Sequence, residues 1–192
     1  MSQSTYERIL NAAFEHFADN GFEKASMNDI AKIVGISKPA LYHHFDSKDS
    51  LLETLYEQLI ALIQADFISD IDAISREAFL ETLVSIGLSD LTALRHQPRL
   101  ARILQQYNLL SLRSSRVEAL SNALEKATYQ YHMSIMKHGE VLGLIQPGEG
   151  ESMANLFYAL LSGLTWSQLR GVHTDVEEVW KDGVQRLMGA MA

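Results

Sequence analysis

The sequence contains no cysteine, and only three prolines interrupt its 192 residues. The absence of cysteine excludes disulfides and thiolate metal sites, and it fits a reducing compartment. The N-terminus lacks the pattern of a signal peptide, and the longest near-apolar run, residues 156–164, is too short to span a bilayer. We therefore expect a cytoplasmic protein that has no membrane segment.

Acidic residues outnumber basic residues, and the net charge is −8. Residues 1–50 hold five Lys or Arg against seven Asp or Glu, so this part of the chain is acidic as well. Neither part forms a basic patch that would attract nucleic acid in bulk. Any binding to DNA must then depend on a few placed cations and backbone amides, and we expect weak non-specific affinity.

Apolar residues recur three and four positions apart along nearly the whole chain, which predicts an all-α protein. Ser4 and Glu7 have the spacing of a capping box at the start of the first helix, and Gly21 follows its end. Three serines have the position of N-caps for the next helices: Ser26, Ser37 and Ser47. Behind them we predict five helices, at residues 75–96, 99–112, 115–144, 151–171 and 175–190.

Residues 26–45 predict two short helices joined by a turn at Gly35, which is the helix-turn-helix arrangement. Ala31 is small where the two helices must cross, and Leu41 anchors the second helix against the first. The opposite face of the second helix is then left open to DNA. This face carries a hydroxyl, a cation, a small apolar group, a phenol and an imidazole: Ser37, Lys38, Ala40, Tyr42 and His43.

These residue types suit the major groove of duplex DNA. Lys38 can reach guanine acceptors or a phosphate, and Ala40 can lie against a thymine methyl group. Tyr42 and Ser26 are suited to phosphate or sugar contacts. Lys48 lies in the first turn of the next helix, where free amides and the helix dipole favour a phosphate. The segment therefore predicts sequence-specific binding to double-stranded DNA.

A resemblance to the DNA-binding domain of the tetracycline-repressor (TetR-type) family covers residues 9–52, which read ILNAAFEHFADNGFEKASMNDIAKIVGISKPALYHHFDSKDSLL. The resemblance implies a three-helix helix-turn-helix domain at residues 1–48 and a helical ligand-binding and dimerisation body at residues 49–192. It also implies a dimeric repressor that leaves a palindromic operator when a small molecule enters the body. Six residues align with the family's DNA-contacting positions: Ser26, Ser37, Lys38, Tyr42, His43 and Lys48. Pro39 stands where family members often have a hydroxyl.

The last two predicted helices carry apolar stripes that fit either the core of one chain or a four-helix bundle made by two copies. One short recognition helix reads only a half-site, and a dimer doubles the contacts on a palindrome. We therefore predict a homodimer. The candidate interface residues are Ala154, Tyr158, Ser162, Thr165, Val176, Trp180 and Val184.

Large side chains, several with a polar tip, are spread over the middle helices and could line a cavity for an effector. The candidates are Phe79, Tyr107, Tyr129, Met133 and Trp166. Large side chains at helical spacing are more often part of the core, so the core is the favoured alternative for each of them. Few cations look buried, so we expect a hydrophobic or aromatic effector that acts by shifting the fourth helix, residues 47–66.

Other functional classes have little support in the sequence. Neighbours on a helix, such as His43 and His44, point about 100° apart and do not grip one metal ion easily. His132, His138 and Glu140 also fail to converge, and we expect them on a solvated face. A phosphate loop, a GxSxG turn and a cysteine nucleophile are all missing, so neither an enzyme nor a cofactor is predicted. A protein-interaction module that has lost DNA binding is the alternative, supported only by the acidic first fifty residues.

Overall fold

The computed structural model describes residues 3–112, 114–172 and 175–189, and all regular secondary structure in these ranges is helical. The all-α prediction is thereby confirmed. A 3-10 turn at Ile71–Ala73 precedes the fifth helix. The helices are α1 (Thr5–Asn20), α2 (Met27–Val34), α3 (Lys38–His44), α4 (Lys48–Ala65), α5 (Phe79–His96), α6 (Pro98–Ser111), α7 (Ser115–Val141), α8 (Gly150–Leu169) and α9 (Val176–Gly189).

The helix boundaries follow the sequence-based prediction to within a few residues. The largest differences are the start of α5, which begins at Phe79 instead of residue 75, and the end of α7 at Val141. The chain turns out of α7 because Gly143 adopts a left-handed φ of 67°, which glycine tolerates without steric cost. Residue 190, the predicted end of the last helix, lies outside the described residues.

The predicted serine caps are confirmed. The Ser4 hydroxyl accepts from the Glu7 amide, and the Glu7 carboxylate accepts in return from the Ser4 amide, which completes the capping box. The three other serines accept from amides in the first turns of α2, α3 and α4: Ser26, Ser37 and Ser47. These caps satisfy amides that have no partner within the helix, and they fix where each helix starts.

The chain forms two compact units. Unit 1 comprises Met1–Ala65 and Arg99–Asn122, and unit 2 comprises Asp66–Pro98 and Ala123–Ala192. The domain boundary that we placed at residue 48 stays a prediction. In the described part of the chain, no helix combines the length and the hydropathy needed to cross a membrane.

The core of unit 1 joins the first four helices to α6. Phe17, Leu41 and Leu51 are fully buried in it. Tyr107 of α6 stacks on Tyr56 of α4 with ring centroids 4.1 Å apart, and its hydroxyl donates to the carbonyl of Leu52 at 3.2 Å. Burial raises the pKa of Tyr107 and keeps the phenol neutral. These contacts make α6 an integral part of the unit that carries the helix-turn-helix.

The core of unit 2 is built from α5, α7, α8 and α9 around Trp180, which is fully buried. We expected His132 and His138 of this unit on a solvated face, but both side chains are buried. The imidazole of His138 is buried, and it forms a hydrogen bond with the carbonyl of Ile74 at 2.8 Å. His132 is 2% exposed against the ring of Phe157, and burial lowers its pKa to about 4. The expectation for these two residues was therefore wrong.

Candidate nucleic-acid interface

The turn between α2 and α3 has the geometry that the sequence predicts. Gly35 adopts the left-handed conformation, with φ of 75° and ψ of 34°, and its amide donates to the last turn of α2. Ala31 is buried where the two helices meet, and Leu41 is fully buried on the inner face of α3. This packing seats α3 on α2 and determines which of its faces points outward.

The outward face of α3 is open to solvent. The side chains of all five residues predicted there are exposed: Ser37, Lys38, Ala40, Tyr42 and His43. Tyr42 is 40% exposed, and the Lys38 ammonium lies 5.7 Å from the centre of its ring. Such a contact orients the lysine without burying its charge. A cation, a phenol, an imidazole and a methyl group thus share one accessible surface.

Ser26 lies at the N-terminus of α2, where its hydroxyl has two internal partners. It accepts from the Asp29 amide at 3.2 Å and donates to the Asp29 carboxylate at 2.5 Å. The hydrogen bonds that Asp29 accepts from Ser26 and from Lys32 hold the pKa of that carboxyl below its usual range. Ser26 is half-buried. Its first role is therefore that of a cap that fixes the start of α2.

Lys48, in the first turn of α4, makes hydrogen bonds within the protein. Its ammonium faces the protein and donates to the carbonyls of Phe22 at 2.6 Å and of Ala25 at 3.1 Å. A phosphate contact by Lys48 stays a prediction. Arg8, which sequence reasoning missed, similarly donates to the Val34 carbonyl at the end of α2. The sequence offers little signal for either contact, because each joins positions about 25 residues apart.

The candidate interface residues of the body fall into two groups. Four are buried inside unit 2 and offer no surface to a second copy: Ala154, Val176, Trp180 and Val184. Three on α8 are partly exposed: Tyr158, Ser162 and Thr165. The Tyr158 hydroxyl donates to the Glu125 carboxylate at 2.9 Å. The stripe that we took for an interface is thus in large part the core of unit 2.

A neighbouring face of α8 and α9 is apolar and accessible. It forms an open groove of about 720 Å³ in unit 2, which carries these aliphatic or small residues: Met153, Leu156, Ala159, Leu160, Gly183 and Leu187. Leu156 is 50% exposed. A Cβ atom at position 183 would lie 2.7 Å from a methyl group of Leu160, so Gly183 lets the two helices approach closely. We name this surface the α8/α9 groove.

The five candidate pocket residues do not form one cluster. Tyr107 belongs to the core of unit 1, and Phe79 is fully buried in the core of unit 2. Tyr129 lies edge-on against Tyr158 with ring centroids 6.2 Å apart, and Met133 of the same helix packs against the core of unit 2. Trp166 is exposed on α8 beneath the guanidinium of Arg170. Within the described residues, no group of three or more acidic or histidine side chains could hold a metal ion.

A family model matches the segment that contains the exposed residues of α3. Residues 9–55 match the model described as bacterial regulatory proteins, tetR family. This span includes all of α2 and α3 and the first turns of α4.

Known regulators are similar to this chain over short or long stretches. The HTH-type transcriptional regulator UidR of Escherichia coli is 28% identical over 194 residues, covering 99% of this chain and 94% of that protein. The Staphylococcus aureus regulator IcaR, described as an HTH-type negative transcriptional regulator of the biofilm operon icaADBC, is 43% identical over 47 residues, covering 24% and 25% of the two chains. A TetR transcription regulator from Haloarcula marismortui has the same fold, with a TM-score of 0.82 at 18% identity over 97% of both chains.

Proposed function

Because the chain belongs to the TetR family of DNA-binding transcriptional regulators, we propose that it is a dimeric repressor that a small effector releases from a palindromic operator. Its relatives are regulators of transcription, and the chain is accordingly not an enzyme. IcaR is a negative transcriptional regulator, and this supports repression over activation.

The exposed face of α3 is the observation that carries the proposal. Leu41 anchors the helix from the inner side while Lys38, Tyr42 and His43 stay accessible on the outer side. The Lys38 ammonium can bond to guanine or phosphate, and the methyl group of Ala40 can contact thymine. Because these contacts depend on a few placed side chains and not on a bulk positive charge, DNA binding is compatible with an acidic chain.

We place the second copy of the chain on the α8/α9 groove. Accessible apolar or small residues recur on the outer face of α8 at helical spacing: Leu156, Ala159, Gly163 and Trp166. Val179 of α9 is 48% exposed. Contiguous exposed apolar surface of this kind is typical of interfaces, and two helices from each copy would form a four-helix bundle. The interface thus lies beside the predicted stripe, on a neighbouring face of the same two helices.

The interior of unit 2 favours an apolar or aromatic effector. Among the described residues of the chain, the buried charged or polar side chains are His132 and His138. His132 is neutral at physiological pH because burial lowers its pKa to about 4. An effector that enters such an interior meets aromatic rings and a neutral imidazole, and an ionic effector would lack a counter-charge. We propose that its binding tilts α4 and changes the spacing of the two recognition helices, which must match half-sites on the order of 34–36 Å apart.

The experiment that tests this function is a titration of the purified protein against duplexes from its own upstream region. Fluorescence anisotropy at several salt concentrations should show saturable binding to one duplex and much weaker binding to a scrambled duplex of equal length. A panel of neutral aromatic and aliphatic compounds is then screened for release of that duplex. Failure to bind any upstream duplex at low salt would leave the interaction-module alternative in its place.

A further inference from the structure

We propose that Lys48 and Gln106 are positioning residues for DNA binding, which hold the α1–α2 loop at Phe22 and thereby fix where α2 begins. The inference rests on the proposed DNA-binding function. It extends that function, because it assigns the effect of both residues to contacts within unit 1 and not to contacts with DNA.

The ammonium of Lys48 has hydrogen-bond partners inside the protein. It has three N–H donors, and three backbone carbonyls of the loop surround it: Phe22 at 2.6 Å, Ala25 at 3.1 Å and Glu23 at 3.5 Å. The same ammonium lies 4.3 Å from the centre of the Phe22 ring, which adds a cation–π contact. A phosphate could bind Lys48 only if one of these partners were given up.

Gln106 of α6 holds the same residue from the other side. Its Oε1 accepts from the Phe22 amide at 2.9 Å, and its Nε2 donates to the Phe17 carbonyl at the end of α1 at 3.0 Å. The backbone of Phe22 is therefore bound at both polar groups, the N–H by Gln106 and the carbonyl by Lys48. The ring of Phe22 also packs edge-on against Phe17, with centroids 5.5 Å apart. Phe22 is thus the point at which α1, α4 and α6 meet the loop.

Phe22 is close in sequence to the helices that carry the DNA-facing surface. Three residues separate Phe22 from Ser26, the N-cap of α2, so a shift of the loop moves the start of α2. Because α3 is seated on α2 through Leu41, the recognition helix moves with it. Contacts to base edges tolerate displacements of only about 0.5 Å, which makes the support of the helix as important as its exposed residues.

The salt dependence of binding distinguishes a positioning lysine from a lysine that touches phosphate. Each neutralised phosphate contributes about 0.9 to the slope of log K against log salt concentration. A positioning residue changes the affinity at every salt concentration but leaves the slope unchanged. The slope therefore reports on the role of Lys48 independently of how large the loss of affinity is.

The test compares four variants with the parent protein, using the labelled duplex that the parent binds. We expect Lys48→Met and Gln106→Leu each to weaken binding about tenfold with the slope of the parent. Lys38→Met, at a proposed phosphate contact that both copies of the dimer would make, should lower the slope by about 1.8. Lys137→Met removes the same charge from an exposed position on α7, and it should bind the duplex with the affinity and the salt slope of the parent. Hydrogen exchange should show faster exchange of the Phe22 amide in Gln106→Leu.

The outcomes separate a failure of the proposed function from a failure of the inference about Lys48 and Gln106. A parent protein that binds no duplex contradicts the proposed function before any variant is made. If the parent binds, a slope lowered by about 1.8 in Lys48→Met, one phosphate for each copy of the dimer, makes Lys48 a phosphate ligand and overturns the inference. Unchanged affinity in Lys48→Met or in Gln106→Leu overturns it as well. Circular dichroism checks the fold of each variant, and Gln106→Leu, which is close in size to the parent side chain, decides the question if Lys48→Met does not fold.

Discussion

The indole of Trp180 on α9 lies directly against the α-carbon of Gly87 on α5, and its Nε1–H donates to the carbonyl of Val84 at 2.8 Å. Trp180 is fully buried, and the ring of Phe157 on α8 meets it edge-on at 4.9 Å. Any side chain at position 87 would overlap the indole. The close approach of α5 and α9 in unit 2 therefore requires glycine at this position.

Replacing Gly87 with alanine should destabilise the protein. The added methyl group must displace a buried indole that is held by a hydrogen bond, so the free energy of unfolding should fall by about 1–3 kcal/mol in urea titrations. Gly189→Ala is the matched control, because a Cβ at that position meets nothing within 4 Å. It should change the free energy by less than about 0.5 kcal/mol. Equal stability of the two variants would contradict this account of the α5/α9 contact.

The buried His132 should make stability depend on pH. Its pKa falls from 6.5 to about 4 in the folded protein because burial penalises the charged imidazole. Between these two values the unfolded chain binds a proton that the folded chain does not. Taken alone, His132 should therefore lower the free energy of unfolding by up to roughly 3 kcal/mol as the pH drops from about 6.5 to about 4.

His132→Phe identifies the source of this pH dependence. The Nδ1 atom of His132 is buried without a hydrogen-bond partner, so its loss should cost little at pH 7.5. Chemical unfolding at pH 7.5 and at pH 4.5 should show that acidification lowers the free energy of unfolding less in this variant than in the parent. His96→Gln, at an exposed position on α5, should keep the pH dependence of the parent. If His132→Phe kept it as well, another group would be responsible.

Charge in the α8/α9 groove should prevent dimerisation. Leu156→Asp places a carboxylate at the centre of the proposed interface, where a second copy would have to bury it. Sedimentation should give twice the mass of the 21.5 kDa chain for the parent and the mass of one chain for the variant. Val141→Asp adds the same charge at an apolar residue of α7 that is 82% exposed, and it should remain dimeric. A dimeric Leu156→Asp variant would locate the interface elsewhere.

Features that depend on neighbouring residues in the sequence could be predicted from it. The capping box at Ser4 and Glu7 and the caps at Ser26 and Ser37 each involve an amide within three residues of the serine. The turn at Gly35 likewise needs only a residue that accepts a left-handed backbone. These local rules, together with helical spacing, were sufficient for the helix-turn-helix and for the exposed face of α3.

Features that depend on distant parts of the chain could not be predicted in this way. Lys48 bonds to carbonyls more than twenty residues away, and the sequence gives no sign that the loop is its partner. Tyr107 looked suitable for an effector cavity, yet it stacks on Tyr56 because α6 packs into unit 1. Trp180 fitted an interface stripe equally well, since a core helix and an interface helix have the same apolar spacing. Only packing distinguishes these roles.

The exposed face of α3 is tested most directly by equilibrium binding of Lys38→Ala and Tyr42→Ala to the duplex that the parent protein recognises. The control is Leu62→Ala, a residue of α4 that is 67% exposed. We expect each α3 variant to lose about tenfold or more in affinity with an unchanged molecular mass, and the control to bind like the parent. Parent-like binding by both α3 variants would contradict the assignment of this face to DNA.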